Sequence, residues 1–120
     1  MDREWAEEFA AEWIAAWNSH DIERILSHYA DDFEMESPLI VERMGEPSGK
    51  LSGMERIRPY WRAGLDARPP LQFELISVYA GVSSIVIHYR SAGRALVCET
   101  IHFNDDGLGI RAAAHYGAAA

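Results

Sequence analysis

The chain has 120 residues, 48% hydrophobic and 25% charged, the composition of one globular domain over residues 1–120 whose core needs no cross-links. With 19 acidic against 11 basic side chains its formal charge is -8, which repels phosphate backbones and anionic membrane surfaces, so neither nucleic acid nor a membrane is an expected partner. The single cysteine, Cys98, excludes an internal disulfide. No apolar run approaches the roughly 20 residues of a spanning helix, and Met1-Asp2-Arg3-Glu4 lacks the order of a secretory signal, so a cytoplasmic location is expected.

Trp5, Phe9, Trp13 and Trp17 recur every four residues, with Ile14 and Ala16 beside them, and predict a first helix with large rings along one face. Asn18-Ser19-His20-Asp21 interrupts it. Asp21 then caps a second, shorter helix with Ile22, Ile25, Leu26 and Tyr29 at helical spacing, ended by Asp31-Asp32. Phe33, Met35 and Ser37 alternate with Glu34 and Glu36, the period of a half-buried strand, which Pro38 stops. Residues 39–51 hold Gly45, Pro47 and Gly49 and read as a long mobile loop. Its Leu39-Ile40-Val41 run is expected to fold over a cavity mouth or onto a partner subunit. Ser52 and Glu55 have the spacing of a capping box for a third helix with Met54, Ile57, Trp61 and Leu65 on its buried face. Pro59 predicts a kink there, and Arg68-Pro69-Pro70 closes the helix.

Four strand candidates follow at 71–79, 83–91, 94–103 and 109–116, separated by Gly, Ser, Asn and Asp. Links this short imply antiparallel neighbours. Helices followed by a strand meander describe an α+β fold in which the helices cover one face of the sheet.

In Trp17-Asn18-Ser19-His20-Asp21-Ile22, Tyr29-Ala30-Asp31-Asp32, Ser52-Gly53-Met54-Glu55 and Phe103-Asn104-Asp105-Asp106-Gly107, the chain resembles the nuclear transport factor 2-like superfamily. The branch is the SnoaL-like and ketosteroid-isomerase-like one, and the resemblance runs from Phe9 to Tyr116. It implies a cone-shaped, curved antiparallel sheet (an α-β barrel, cystatin-like) enclosed by three N-terminal helices, usually in a homodimer. The family hosts isomerases, cyclases, hydrolases and non-catalytic proteins, so the fold does not decide the function. Ketosteroid isomerases use a carboxylate just before the proline that ends the first strand, a first-helix tyrosine, and an acid on the third later strand. The corresponding residues are Ser37, Trp13 and Glu99. Serine is a poor base near neutral pH and an indole cannot share a proton as a phenol does, so that route of steroid isomerisation is disfavoured. His115 matches the acid that serves as base in SnoaL-like cyclases.

Ala95, Val97, Glu99, Ile101 and Phe103 share one strand face, which makes Glu99 the single ionisable group of an apolar row. The same inward parity is assigned to Ala113 and His115 on the last strand. Side by side, Glu99 and His115 would form a catalytic dyad, His115 as general base and Glu99 fixing its tautomer. A purely structural partner for Glu99, such as His115, Trp13 or a loop amide, is the alternative. Expected ligand contacts are Trp13, Trp17, Tyr29, Phe33, Met35, Ser37, Trp61, Val97 and Ile101. His88 and Arg90 face either the cavity or the outer surface, while Ile85, Ile87 and Tyr89 are assigned to an uncovered outer face that pairs two copies. Without a helical histidine pair beside an acid, or a cysteine cluster, neither a metal nor a cofactor is expected. The expected function is binding of a small, largely apolar molecule in a cone-shaped cavity, with cofactor-independent proton transfer (isomerisation, cyclisation or dehydration) if the protein is an enzyme. The alternative is a non-catalytic ligand-binding or dimerisation module.

Overall fold

In the computed structural model, which describes residues 1–91, 93 and 95–119, the ring stripe forms α1 (Arg3–Ser19). Asp2 caps its start by accepting from Glu4 N, and His20 ends it in the left-handed region at φ 62°. Asp21 caps α2 (Ile22–Leu26) as the sequence predicts, its Oδ1 accepting from Glu23 N and Arg24 N at 3.1 and 3.3 Å. Tyr29 is not part of that helix; it opens β1 (Tyr29–Glu36), with Asp31 and Asp32 exposed within the strand.

The expected loop after Pro38 is instead a helix, α3 (Pro38–Met44), followed by a short strand, β2 (Lys50–Ser52). Ser37 is the N-cap, its Oγ accepting from Leu39 N at 3.1 Å, and Pro38 occupies the first turn, where a missing N–H costs nothing. Gly45, at φ 64°, stops the helix. Ile40 is buried and Leu39 turns to the cavity, as expected of the apolar run. α4 (Met54–Leu65) begins at Gly53 without the predicted capping box, because Ser52 lies in β2 and gives its hydroxyl to Glu34 at 3.2 Å. Pro59 stands inside α4, whose buried face is Ile57, Tyr60, Trp61 and Leu65. The described chain thus holds four helices, one more than expected.

β3 (Glu74–Ala80), β4 (Ser84–Arg90), β5 (Ala95–Phe103) and β6 (Gly109–Ala119) lie close to the predicted strands; the expected start at Arg94 is outside the described residues. They join β1 and β2 in one curved, six-stranded sheet of order β2-β1-β6-β5-β4-β3. Every neighbouring pair is antiparallel except β1 and β6, which run parallel. Register settles which side chains share a face. Ile85 lies opposite Ile101, Ile87 opposite Glu99 and Tyr89 opposite Val97, so all three share the inner face of Glu99 and are buried. This corrects their assignment to an exposed dimer face. His88 and Arg90 are on the outer face, Arg90 paired with Glu74 at 3.2 Å.

Two local devices position the inner wall. Asn18 accepts from Phe73 N at 2.7 Å and donates to Phe73 O at 2.9 Å, and His20 Nε2 is 2.7 Å from Leu71 O, so the end of α1 clamps segment 71–73. At Gly109 a β-carbon would stand 2.8 Å from Tyr29 Cδ1 and 3.2 Å from Ile101 Cγ2, so glycine lets the Tyr29 ring lie against the start of β6. Among the described residues no helix is long and apolar enough to cross a membrane.

The clamp yields a measurable expectation. Asn18→Ala leaves the amide and carbonyl of Phe73 without their partner and should cost about 1–3 kcal/mol. A lower urea midpoint with an unchanged slope is the predicted result; an unchanged midpoint would show that the clamp contributes nothing.

Candidate functional site

A cavity of about 220 Å³ opens between α3, α4, the segment 67–73 and the inner face of the sheet. Much of its wall is aromatic. Trp13 and Trp17 come from successive turns of α1, Trp61 from α4 and Phe73 from the clamped segment, with ring centroids 5.1 Å apart for Trp17 and Trp61 and 5.9 Å for Trp13 and Phe73. Such offset and edge-on contacts add to the area these rings bury. Tyr60, Tyr89 and Tyr116 bring hydroxyl groups to the wall, and Arg43 of α3 brings a guanidinium to its rim.

Glu99 is the one carboxyl in this lining and is only 4% exposed. Among the described residues its hydrogen bond comes from Tyr89 Oη, which donates to Oε1 at 3.3 Å. Burial drives its pKa up to about 7, and the Tyr89 bond offsets only part of that rise. Near neutral pH both forms of the carboxyl are therefore populated, the condition under which one group can take and return a proton. The surrounding phenols respond in the opposite sense to their use as bases. Burial first, and the Glu99 charge next, push Tyr29 and Tyr89 well above the ordinary range and raise Tyr116; burial also raises Tyr60. All four remain O–H donors. One further donor, Trp17 Nε1, is buried and has no hydrogen-bond partner among the described residues. Trp13 Nε1, by contrast, donates to Tyr29 Oη at 2.8 Å.

The structure brings together five of the residues expected from sequence: Trp13, Trp17, Met35, Trp61 and Glu99 line the cavity. Tyr29, Phe33, Val97 and Ile101 are buried behind the lining, and Phe33 stacks on Tyr29 at 4.6 Å. Ser37 is likewise behind it, capping α3 and receiving a hydrogen bond from Tyr60 Oη at 3.4 Å. His115 is a correction. Glu99 pairs in register with Ala114, so His115 falls one residue out of phase, exposed on the outer face, with Nδ1 3.2 Å from Cys98 O. The inward residues of β6 are Ala112, Ala114 and Tyr116, and the Glu99–His115 dyad is not formed. Arg43, Tyr60, Phe73, Tyr89 and Tyr116 are site residues that the sequence reading missed; the alternation Ile85, Ile87, Tyr89 beside Val97, Glu99, Ile101 carried the signal for Tyr89.

The raised pKa of Glu99 fixes the sign of a pH effect. A glutamate titrates at 4.5 in the unfolded chain and at about 7 here, so between those values the folded protein holds the extra proton. The contribution of the protonated carboxyl is complete below the unfolded value and is lost as pH rises through the folded one, in total on the order of 3 kcal/mol. Glu99→Gln carries no such titration. The stability of the wild type relative to this variant should fall between about pH 4.5 and pH 8, and a pH-independent difference would contradict the assignment.

Residues 10–118 match the family model of the SnoaL-like domain. A SnoaL-like protein of unknown function from Burkholderia thailandensis E264 is 50% identical over 98% of each chain, with a TM-score of 0.94. Two more distant structures share the fold. AclR, a proposed hydroxylase from Streptomyces galilaeus, is 18% identical over 97% of this chain and 91% of that one, with a TM-score of 0.75. A proposed ketosteroid isomerase from Kribbella flavida DSM 17836 is 18% identical over 98% of this chain and 81% of that one, with a TM-score of 0.70. No curated protein matches the sequence. With the family model spanning nearly its whole length, the chain belongs to the SnoaL-like domain family, of the nuclear transport factor 2-like fold.

Proposed function

We propose that the cavity binds a small, largely apolar molecule bearing one or two polar groups, and that Glu99 moves a proton on it without a cofactor. The observation that carries this reading is Glu99 itself, the one carboxyl of a largely apolar and aromatic cavity lining, 4% exposed, where burial pushes its pKa up to about 7. At 220 Å³ the cavity is below the about 300–1,000 Å³ of sites for drug-sized ligands, so the molecule is small. In its charged form Glu99 takes a proton from a carbon next to a carbonyl group. The C–H bond breaks, an O–H bond forms on the carboxyl, and the electron pair moves to the carbonyl oxygen. With the hydroxyls of Tyr60 and Tyr89 engaged by Ser37 and Glu99, Tyr116 and Trp17 supply the O–H and N–H donors for that oxygen, and return of the proton to another atom completes an isomerisation.

One observation favours a non-catalytic binding module. Ser37, at the position where the family resemblance puts a base, caps α3 and accepts from Tyr60, so it serves the fold and not a substrate. Hydrogen exchange separates the two readings. With an enolisable aromatic ketone such as 2-tetralone in D₂O, the wild type should accelerate exchange of the α-hydrogens, at a rate that rises with pH and levels off above about 7. Glu99→Gln should lower that rate by about 10²–10⁴-fold while ketone binding, read from tryptophan fluorescence, persists. Binding without accelerated exchange would leave the binding module. For the homodimer that the resemblance implies, the free surface is the outer sheet face, where Tyr79 is 56% exposed; a dimer in sedimentation at micromolar concentration is the expected result.

A further inference from the structure

Arg43 gives the cavity a second polar end. It stands in the last turn of α3 and lines the cavity with Tyr60, Gly64 and Tyr116. Other arginines, Arg3, Arg24, Arg56, Arg58 and Arg90, each pair with a glutamate. Of the arginines without an acidic partner among the described residues, Arg43 is the one in this lining. Gly64 makes room for it. A β-carbon at residue 64 would lie 3.3 Å from Arg43 Nη1, inside ordinary contact distance, so the guanidinium rests over α4 where a side chain is missing.

The two charges sit at opposite depths, since Arg43 is exposed and Glu99 is buried. Tyr60 and Tyr116 line the same cavity as both charges: the cation favours their ionisation and the carboxyl opposes it. The surface as a whole discourages anions, because the chain carries a net charge of -8. A cation with no acidic partner among the described residues, at the mouth of an aromatic cavity, is a local exception to that field. A planar guanidinium matches a carboxylate with two parallel hydrogen bonds, whereas a phosphate dianion would bring a second charge to a site whose other ionisable group is acidic. A cationic ligand would meet repulsion at the rim.

Building on the cavity reading above, we propose that the ligand is a small carboxylic acid, its carboxylate held by Arg43 at the mouth and its apolar body among Trp13, Trp17 and Trp61, facing Glu99. The bound molecule is then anchored at one end and meets the proton-transfer group at the other.

Calorimetry with benzoate, 3-phenylpropionate and 2-naphthoate, each beside its primary amide, tests this on the full chain. The wild type should bind at least one acid more tightly than the matching amide, and the preference should shrink as salt is raised. Arg43→Gln should weaken the acid about tenfold and leave the amide unchanged, with Arg43→Lys between the two. Equal affinity of acid and amide, or an equal loss of both in Arg43→Gln, would overturn the carboxylate assignment and leave the cavity reading standing. If no probe binds and the indole N–H signals of Trp13, Trp17 and Trp61 stay unmoved in NMR spectra, the cavity reading falls as well.

Discussion

Taking the Glu99 carboxyl out of water costs free energy that donors, a proton or a ligand must offset. The one donor at hand among the described residues, Tyr89 Oη at 3.3 Å, is longer than a strong O–H···O bond and offsets only part of that cost. Retention of a proton supplies the rest, and titration near neutrality follows from that balance and not from a charged neighbour. The same carboxyl, when ionised, raises the pKa of the phenols about it, so the aromatic shell stays fully protonated and donating.

That shell exists because one helix serves two ends of the domain. The first half of α1 closes one end, where Trp5 and Phe9 pack edge-on to Phe103 at 5.0 and 4.8 Å. Its second half carries Trp13 and Trp17 to the cavity, and the Asn18–Phe73 clamp fastens the opposite wall to the same helix. Trp13 is fixed by its bond to Tyr29, which in turn lies against Gly109 at the start of β6. The motif Trp17-Asn18-Ser19-His20-Asp21 is therefore architectural: a wall ring, a clamp, a left-handed helix end and the cap of the next helix.

Much of this was legible in the sequence. The four-residue spacing of the rings, the Asp21 cap and the punctuation between the later strands depend on local chemistry, and the structure follows them closely. The family resemblance holds over the whole matched range. What escaped depended on pairing. Pro38 can end a strand or open a helix, and only the Ser37 cap before it and Gly45 after it distinguish the two. On β6 the run Ala112-Ala113-Ala114 offers no contrast in hydrophobicity, so nothing local fixes the phase of His115, and the β5–β6 ladder shifts register twice. Arg43 and Tyr116 reach the cavity through elements whose face the sequence leaves open, which is why they were missed while Glu99, set in an alternating apolar row, was found.

A site-resolved ¹³C NMR titration of the Glu99 carboxyl is the most direct test of the account. The expected midpoint is at about 7, set by burial of the carboxyl. A midpoint at the ordinary glutamate value of 4.5 would mean that the carboxyl is solvated in the folded protein, and the proposed proton transfer by Glu99 would have to be abandoned.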